Sequence, residues 1–489
     1  MILKDINQQL DIFKNMIKIL QKFNRTLFHF SKEVQLKQSE TLGKGFYQQQ
    51  IFTGCLAEYA YYIESNKEAI IIDPLRDIQP YLNIAKERGA KIKYVLLTHF
   101  HADFIAGHLS LQRETDAQIV MGPRATAPFI NKVLNDNEFL KLGKVKIQAL
   151  HTPGHTQEST CFLLYDEEGK QHSIYTGDTL FLGEVGRPDL AVKSDVTQYD
   201  LASMLYASLR QKILGLPDEV VVFPGHGAGS ACGKNISAGY SCSIGNQKKN
   251  NYALQEMDQE TFVQLVASDL PKPPQYFFYN AGLNKTNQFQ DLNLILKKAN
   301  TKLTPAKVVS KQGIQIIDSR NSISDGFIPG SINVPLQIPF AHWVGTLLPH
   351  DREIVIVCEP GFEEQTIMRL SRIGYDNIIG YLHFEDWKAA GNSISKPTEL
   401  EVQDFLKRSK LAQIVDVRTK EEWGRGILKH AQLITLGELP QNLEKLDKLR
   451  DISIYCGTGQ RAKIAHTLLV ANGFTRVQYC KVGYDDIIK

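Results

Sequence analysis

Cysteine is scarce in this chain: seven thiols (Cys55, Cys161, Cys232, Cys242, Cys358, Cys456 and Cys480) in 489 residues. An odd, scattered set excludes a disulfide framework and points to a reducing compartment and to thiol chemistry. Long apolar runs are missing as well. None approaches the ~18 residues needed to cross a bilayer, so no membrane partner is expected. There is no large basic excess either: 56 Lys+Arg stand against 53 Asp+Glu, a formal net charge of +3. A nucleic-acid partner is therefore not expected. What is present is 43% hydrophobic and 22% charged, the balance of a folded chain and not of a disordered one. At ~150 residues per domain, the length suggests about three domains. The first reading is a soluble, multidomain, intracellular protein.

Residues 1–44 differ from the rest. Phe13, Met16, Ile17, Leu20, Phe23 and Leu27 recur at helical spacing, with Lys14, Lys18, Lys22 and Arg25 along another face. Eight Lys or Arg here meet four Asp or Glu. Such a basic amphipathic helix resembles a mitochondrial presequence, although Asp5 and Asp11 are unusual in one. The expectation is an N-terminal extension and candidate targeting segment. Read as a presequence, it places the protein in the mitochondrial matrix; read as a helix packed on the body, it leaves the protein cytoplasmic.

From Phe46 the pattern turns strand-like, and strands alternate with helices to about residue 265. The stretch Leu270-Pro-Lys-Pro-Pro274 then marks a boundary. The remainder holds an internal repeat. Ile316-Ile-Asp-Ser-Arg320 matches Ile414-Val-Asp-Val-Arg418, and Ile354-Val-Ile-Val-Cys358 matches Ile452-Ser-Ile-Tyr-Cys456. In each copy the cysteine follows the aspartate by 40 residues and leads into a helix that stops at glycine plus aromatic, Gly374-Tyr375 and Gly473-Phe474. Two α/β units of about 100 residues follow. The expected division is 1–44 extension, 45–270 large domain, 271–299 linker, 300–396 first repeat and 397–489 second repeat.

The most informative segment is Thr98-His99-Phe100-His101-Ala102-Asp103-Phe104, at the end of a buried strand. Polar side chains at that end of a strand commonly build sites in α/β structures. His151-Thr-Pro-Gly-His155-Thr156, Thr176-Gly-Asp178-Thr179 and Pro224-Gly-His226-Gly follow, each after an apolar strand. One such histidine alone reads as a satisfied loop residue. Four segments of imidazole and carboxylate in loops read as a metal site. His151 reads as a turn-stabilising residue, and His108 and His172 carry no case for function.

These four motifs, in this order over about residues 46–265, resemble the metallo-β-lactamase fold, whose two sheets lie between helices with the metal at one edge. The family usually has histidine where Phe104 stands. In dinuclear members that histidine and the preceding aspartate hold the second metal, so a complete second site is not expected here. Two imidazoles and one carboxylate suit non-haem Fe(II), and zinc also accepts them. Thr176-Gly-Asp178-Thr-Leu-Phe-Leu-Gly-Glu-Val-Gly-Arg187-Pro-Asp resembles the persulfide dioxygenase branch, which uses a single iron. That resemblance implies His99, His155 and Asp178 as ligands of one Fe(II) per chain. His101, Asp103 and His226 become residues that orient the ligands or bind water and substrate. It also implies Arg187 as the binder of a glutathione-type substrate, a role that suits a guanidinium; the plain alternative is a structural arginine in a Gly-Arg-Pro turn. Cys232, in a glycine-rich loop with Lys234 nearby, is a candidate sulfur relay if the lysine favours its thiolate. The plain alternative is a small buried residue in a tight loop.

In the second repeat, Cys456-Gly-Thr-Gly-Gln-Arg461 follows a strand and opens a helix. Glycines let backbone N–H groups curl around the sulfur, and the helix N-terminus and Arg461 add positive potential. Those features favour a thiolate and an anionic persulfide. With Asp416-Val-Arg418 upstream, this unit resembles a rhodanese, with Cys456 as nucleophile and Arg461 as its partner. The first repeat reads Cys358-Glu359-Pro-Gly-Phe-Glu363-Glu364, with acids where the arginine should be. Negative charge disfavours a thiolate, so this unit is expected to be a degenerate rhodanese-like spacer.

The expected fold class is α/β, a metallo-β-lactamase αββα sandwich followed by two rhodanese-like α/β domains. The resemblances imply oxidation of a glutathione-type persulfide with O2 to sulfite at a mononuclear non-haem iron, coupled to sulfane-sulfur transfer through Cys456 that interconverts persulfide and thiosulfate. The alternatives are a glyoxalase-II-like zinc hydrolase of glutathione thioesters with an appended sulfurtransferase, and a non-enzymatic sulfur carrier. Direction of sulfur transfer and any homo-oligomer stay open.

Overall fold

The computed structural model describes residues 40–192, 195–288 and 291–489. The amphipathic N-terminal helix expected before residue 40 lies outside the described residues. The chain forms two units, one of Met1–Pro273 with Ala281–Asn287, the other of Pro274–Asn280 with Gln288–Lys489.

The first unit is built on two sheets. One has seven strands that pair in chain order from Glu40–Gly43 to Lys132–Val133, and includes Glu58–Ser65, Glu68–Ile72 and Lys91–Leu97. The other has six, with Val145–His151, Thr160–Tyr165, Gln171–Gly177 and Val221–Pro224 side by side. Strand alternation explains the run of isoleucines at 70–72. Ile70 and Ile72 join Leu96, Ile147, Phe162 and Tyr175 in the core between the sheets. Ile71 points the other way and packs with Val95 against Tyr81, Ile84 and Ala85 of the helix Gln79–Arg88. On the far face of the second sheet, Leu163, Ile174 and Val222 meet Leu205 and Phe262 of the helices Gln198–Ser208 and Gln259–Ala267. Helix, sheet, sheet, helix is the expected αββα order. The strand Lys91–Leu97 ends directly at Thr98-His99, which places the first histidine motif at the rim of the sandwich.

The second unit carries the repeat. Each copy has a parallel sheet: Gln315–Asp318 beside Ile354–Val357 and Ile378–Leu382 in one, Gln413–Asp416 beside Ile452–Cys456 and Val477–Gly483 in the other. The Asp-x-Arg motif does the same work twice. Arg320 binds Asp318 through Nε (3.0 Å) and Nη2 (2.7 Å) and lies 4.0 Å over the Phe384 ring. Arg418 binds Asp416 through Nε (3.0 Å) and Nη2 (2.7 Å) and lies 3.8 Å over Tyr484. Both motifs are clamps inside the fold, so the first repeat is structurally intact. The segment 271–299, read from its prolines as a linker, holds the helices Gln275–Lys285 and Leu292–Ala299. Prolines before the first turn do not prevent a helix that starts after them.

Candidate metal centre and sulfur-transfer site

Three of the four loop motifs converge on one point. His99 Nε2 lies 3.8 Å and His155 Nε2 3.5 Å from Asp178 Oδ2, and all three side chains are buried. Each imidazole has its other nitrogen engaged. Thr98 Oγ1 is 2.9 Å from His99 Nδ1, and the carbonyl oxygen of Arg187 accepts from His155 Nδ1 at 2.9 Å. That fixes the tautomers and leaves both Nε2 lone pairs aimed at the carboxylate. Asp178 Oδ2 is buried and has no hydrogen-bond partner among the described residues. A buried carboxylate oxygen facing two imidazole nitrogens without a hydrogen is what a bound cation would satisfy. The donor set therefore fits a metal ion.

The protonation states agree with this. Burial, then the neighbouring His101, holds His99 well below the ordinary histidine value. Burial works against the charge on Asp178. The charge and hydrogen bond of His226, then His99 and His155, overcome that and hold its carboxyl well below the usual range. His226 sits between two carboxylates, with Nδ1 2.8 Å from Asp178 Oδ1 and Nε2 2.8 Å from Asp103 Oδ2. Burial opposes its charge, but the two aspartates raise its pKa well above the ordinary value.

His101 does not join the ligand set. Its Nε2 lies 3.0 Å from Asp73 Oδ1, and its ring stacks on Phe104 at 4.3 Å. Phe104 is fully buried, 6.4 Å from the His226 ring, and offers no donor at the second-metal position. Asp103, His226 and Cys232 do gather there, yet both ring nitrogens of His226 already face carboxylates.

Two expectations need correction. Arg187 is not presented to a substrate. It forms a bidentate pair with Asp189 (Nε–Oδ1 2.7 Å, Nη2–Oδ2 2.7 Å), donates to the carbonyls of Ala231 and Pro271, and is buried. Four of its five N–H groups are thereby used. What this residue brings to the site is its backbone: the carbonyl holds His155, and its N–H donates to Cys232 O at 3.0 Å. Gly186 permits this approach, because a Cβ there would lie 1.9 Å from Asp178 O. Cys232 is placed beside Asp103 and His226, but Lys234 does not activate it. The ammonium donates to Leu265 O at 2.7 Å, while burial, then Asp103 and Asp178, push the thiol well up.

Three supporting residues escaped the sequence reading. Asp73 accepts from Thr98 N and Thr98 Oγ1, both at 2.8 Å. Asn284, from the segment that returns to the first unit, donates to His101 O (2.8 Å) and Phe104 O (2.7 Å) and accepts from Ala106 N (3.0 Å). Glu58 is buried next to His226, and burial pushes its carboxyl well up. His151 behaves as expected, with Nε2 3.0 Å from Gln157 O across its turn.

In the second unit, Cys456 ends its strand fully buried, and the N–H of Gly459 donates to its sulfur at 3.1 Å. Gly459 has φ +87°, and a Cβ there would stand 2.2 Å from Lys481 O, so only glycine makes this turn. Arg461 opens the helix Gln460–Ala471 and pairs with Glu422 through Nη1–Oε2 (2.6 Å) and Nη2–Oε1 (2.7 Å). Its charge is thus shared between Glu422 and the sulfur pocket. In the first repeat, burial, then Glu363, Asp318 and Glu359, push the Cys358 thiol well up, as the acids in that loop led one to expect.

Comparison with known proteins adds the following. Residues 53–226 match the profile of the metallo-beta-lactamase superfamily, and residues 305–390 and 398–489 that of the rhodanese-like domain. A probable hydroxyacylglutathione hydrolase of Schizosaccharomyces pombe is 33% identical over 36% of this chain and 66% of its own length, just under two thirds. A mitochondrial persulfide dioxygenase of Homo sapiens is 26% identical over 50% of this chain and 90% of its own. The crystal structure of a metallo-beta-lactamase from Staphylococcus aureus subsp. aureus COL superposes with a TM-score of 0.62 at 29% identity, covering 70% of this chain and 99% of that one.

Proposed function

We infer what this chain does from the families to which it belongs: a metallo-beta-lactamase superfamily enzyme over residues 53–226, with two rhodanese-like domains over residues 305–390 and 398–489. We propose that it oxidises a glutathione-type persulfide with O2 and moves sulfane sulfur through Cys456. The observation that carries this is the converging set of His99, His155 and Asp178, with Phe104, which can donate to no metal, buried beside the neighbouring Asp103–His226 group. Two imidazoles and one carboxylate with open positions suit Fe(II) and O2 chemistry, whereas a hydrolase of the dinuclear type needs the missing histidine.

His99, His155 and Asp178 would hold the iron, one per chain. When bound, it supplies open coordination positions and the electron transfer that O2 chemistry requires. The reaction is R–S–SH + O2 + H2O → R–SH + HSO3⁻ + H⁺. Thr98 and the Arg187 carbonyl keep the imidazoles in the binding tautomer. Asp73 and Asn284 hold the loop that carries His99 to Phe104. His226 keeps a proton between Asp103 and Asp178, beside the metal ligands. In the second unit, the Cys456 thiolate takes a sulfane sulfur, and the reaction Cys456–S–S⁻ + SO3²⁻ → Cys456–S⁻ + S2O3²⁻ runs in either direction. The Gly459 N–H and the helix start stabilise the anionic sulfur.

An oxygen electrode with glutathione persulfide tests the reading. The expected result is one O2 consumed and one sulfite or thiosulfate formed per persulfide oxidised. The hydroxyacylglutathione hydrolase relative gives the opposing outcome: no O2 uptake, and release of glutathione from a thioester.

A further inference from the structure

The first repeat keeps the loop of the second but reverses its chemistry. Gly361 and Gly459 each lie three residues after their cysteine, with φ +89° and +87°. The same turn therefore presents residue five after the cysteine at the start of the following helix. In the second repeat that residue is Arg461, a cation held by Glu422. In the first it is Glu363, whose Oε1 lies 2.7 Å from His383 Nε2. His383 comes from the end of the neighbouring strand Ile378–Leu382. A loop that cradles an anion has become one that gathers a thiol, a carboxylate and an imidazole.

Cys358 Sγ, a Glu363 carboxylate oxygen and a His383 ring nitrogen all lie within 4.8 Å of one another. Cys358 is buried, and Glu363 and His383 are each 17% exposed, so the cluster is partly accessible to solvent. Among the described residues no hydrogen bond reaches Cys358 Sγ, whereas Cys456 Sγ accepts one from Gly459. Ligands around a tetrahedral zinc at 2.0–2.3 Å stand about 3.3–3.7 Å apart, so the Glu363–His383 pair at 2.7 Å has to open by roughly 1 Å, giving up its hydrogen bond, and Cys358 Sγ has to approach by up to roughly 1 Å. Ordinary rotamer motion covers that.

We propose that Cys358, Glu363 and His383 form a binding site for a soft divalent cation of the zinc class, with a fourth position open to solvent. A thiolate and a carboxylate balance a divalent charge, so ion binding would stabilise the thiolate that burial and the neighbouring acids otherwise disfavour. Sulfur and nitrogen donors select zinc, cadmium or cobalt over magnesium and calcium, which prefer oxygen. Asp386, whose Oδ2 is 3.9 Å from His383 Nδ1, is paired with Lys302 at 2.8 Å. The degenerate repeat is then a cation site in its own right.

The test is a cadmium(II) titration of the full chain, followed by its ultraviolet thiolate-to-cadmium charge-transfer band. A band that saturates near one equivalent is expected, displaced by zinc and not by magnesium. Cys358→Ser should abolish it, and Glu363→Gln and His383→Ala should each weaken apparent affinity at least tenfold. Cys232→Ser and Cys456→Ser should keep it. A band that survives Cys358→Ser, or disappears with Cys232→Ser or Cys456→Ser, overturns the proposal. O2 uptake and Cys456-dependent sulfur transfer, which use none of the three residues, report that the variants are folded. Should Cys358→Ser fail that check, unchanged affinity in Glu363→Gln and His383→Ala would overturn the proposal equally.

Discussion

His155 and Asn284 contribute to the metal centre in different ways, and single substitutions separate them. His155→Ala removes a donor whose tautomer is set by the Arg187 carbonyl. Iron content should fall at least tenfold, and O2 uptake with it, measured by metal analysis and an oxygen electrode on the same sample. Asn284→Ala removes no donor. It strands the carbonyls of His101 and Phe104 and the N–H of Ala106. Leaving buried partners unpaired costs about 1–3 kcal/mol each before water enters. The first unit should unfold at lower denaturant, with metal affinity reduced but not lost. The two effects are distinguished by adding excess metal, which should restore activity in Asn284→Ala and not in His155→Ala.

Among elements, the loop after Cys456 depends on an ion pair that ties two short segments together. Glu422 closes the capping box of Thr419–Glu422 and accepts from Nη1 and Nη2 of Arg461. Burial opposes its charge, but Arg461 and Thr419 bring its pKa down from 4.5 to about 2. A depressed carboxylate pKa stabilises the fold above its unfolded value and loses that contribution as pH falls through the folded one. Glu422→Gln should therefore lower the urea midpoint of the second unit at pH 7, by the equivalent of about 1–2 kcal/mol for a charged, partly exposed pair. The gap to the parent chain should close as pH drops from about 4.5 toward 2. A gap unchanged across that range would mean that the side chain acts by packing.

Elements are also where the sequence was most and least readable. The Asp-x-Arg and cysteine repeats announced two parallel sheets, because strand-ending motifs of fixed spacing leave little choice of fold. The buried strand that ends at Thr98-His99 was legible from its apolar run, and the structure shows it as Lys91–Leu97. His99, His155 and Asp178 were legible because their types and order imply ligands, although only the structure shows Asp178 Oδ2 unpaired between them. Asn284 was not legible. It lies 183 residues from His101 and 180 from Phe104, and no local pattern carries a contact at that separation. Arg187 was harder to read for a related reason: beside the nearby Asp189, its partners Ala231 and Pro271 are 44 and 84 residues away. Without them a loop arginine looks free to bind a substrate. Prolines 271, 273 and 274 suggested a linker, and the helix Gln275–Lys285 begins directly after them.

For the molecule as a whole, two chemistries are proposed for one chain: oxidation in the first unit and sulfur transfer in the second. They share no residue. Cys456→Ser should abolish transfer of sulfur between thiosulfate and thiols, seen as lost thiocyanate or persulfide formation, and should leave O2 uptake on glutathione persulfide within about twofold. If Cys358→Ser abolishes the transfer instead, the two repeats have been assigned in the wrong order. With the intact chain, persulfide oxidised in the presence of sulfite should yield thiosulfate; with Cys456→Ser it should stop at sulfite.

The central claim is that one iron sits among His99, His155 and Asp178 and serves O2 chemistry. Quantifying iron and zinc on freshly purified full-length protein, alongside O2 consumption on glutathione persulfide, tests it most directly. The account predicts about one iron per chain that depends on His155, with O2 uptake proportional to iron content. Any zinc should track Cys358, not His155. Zinc lost with His155→Ala, together with no O2 consumption and turnover of a glutathione thioester, would contradict it.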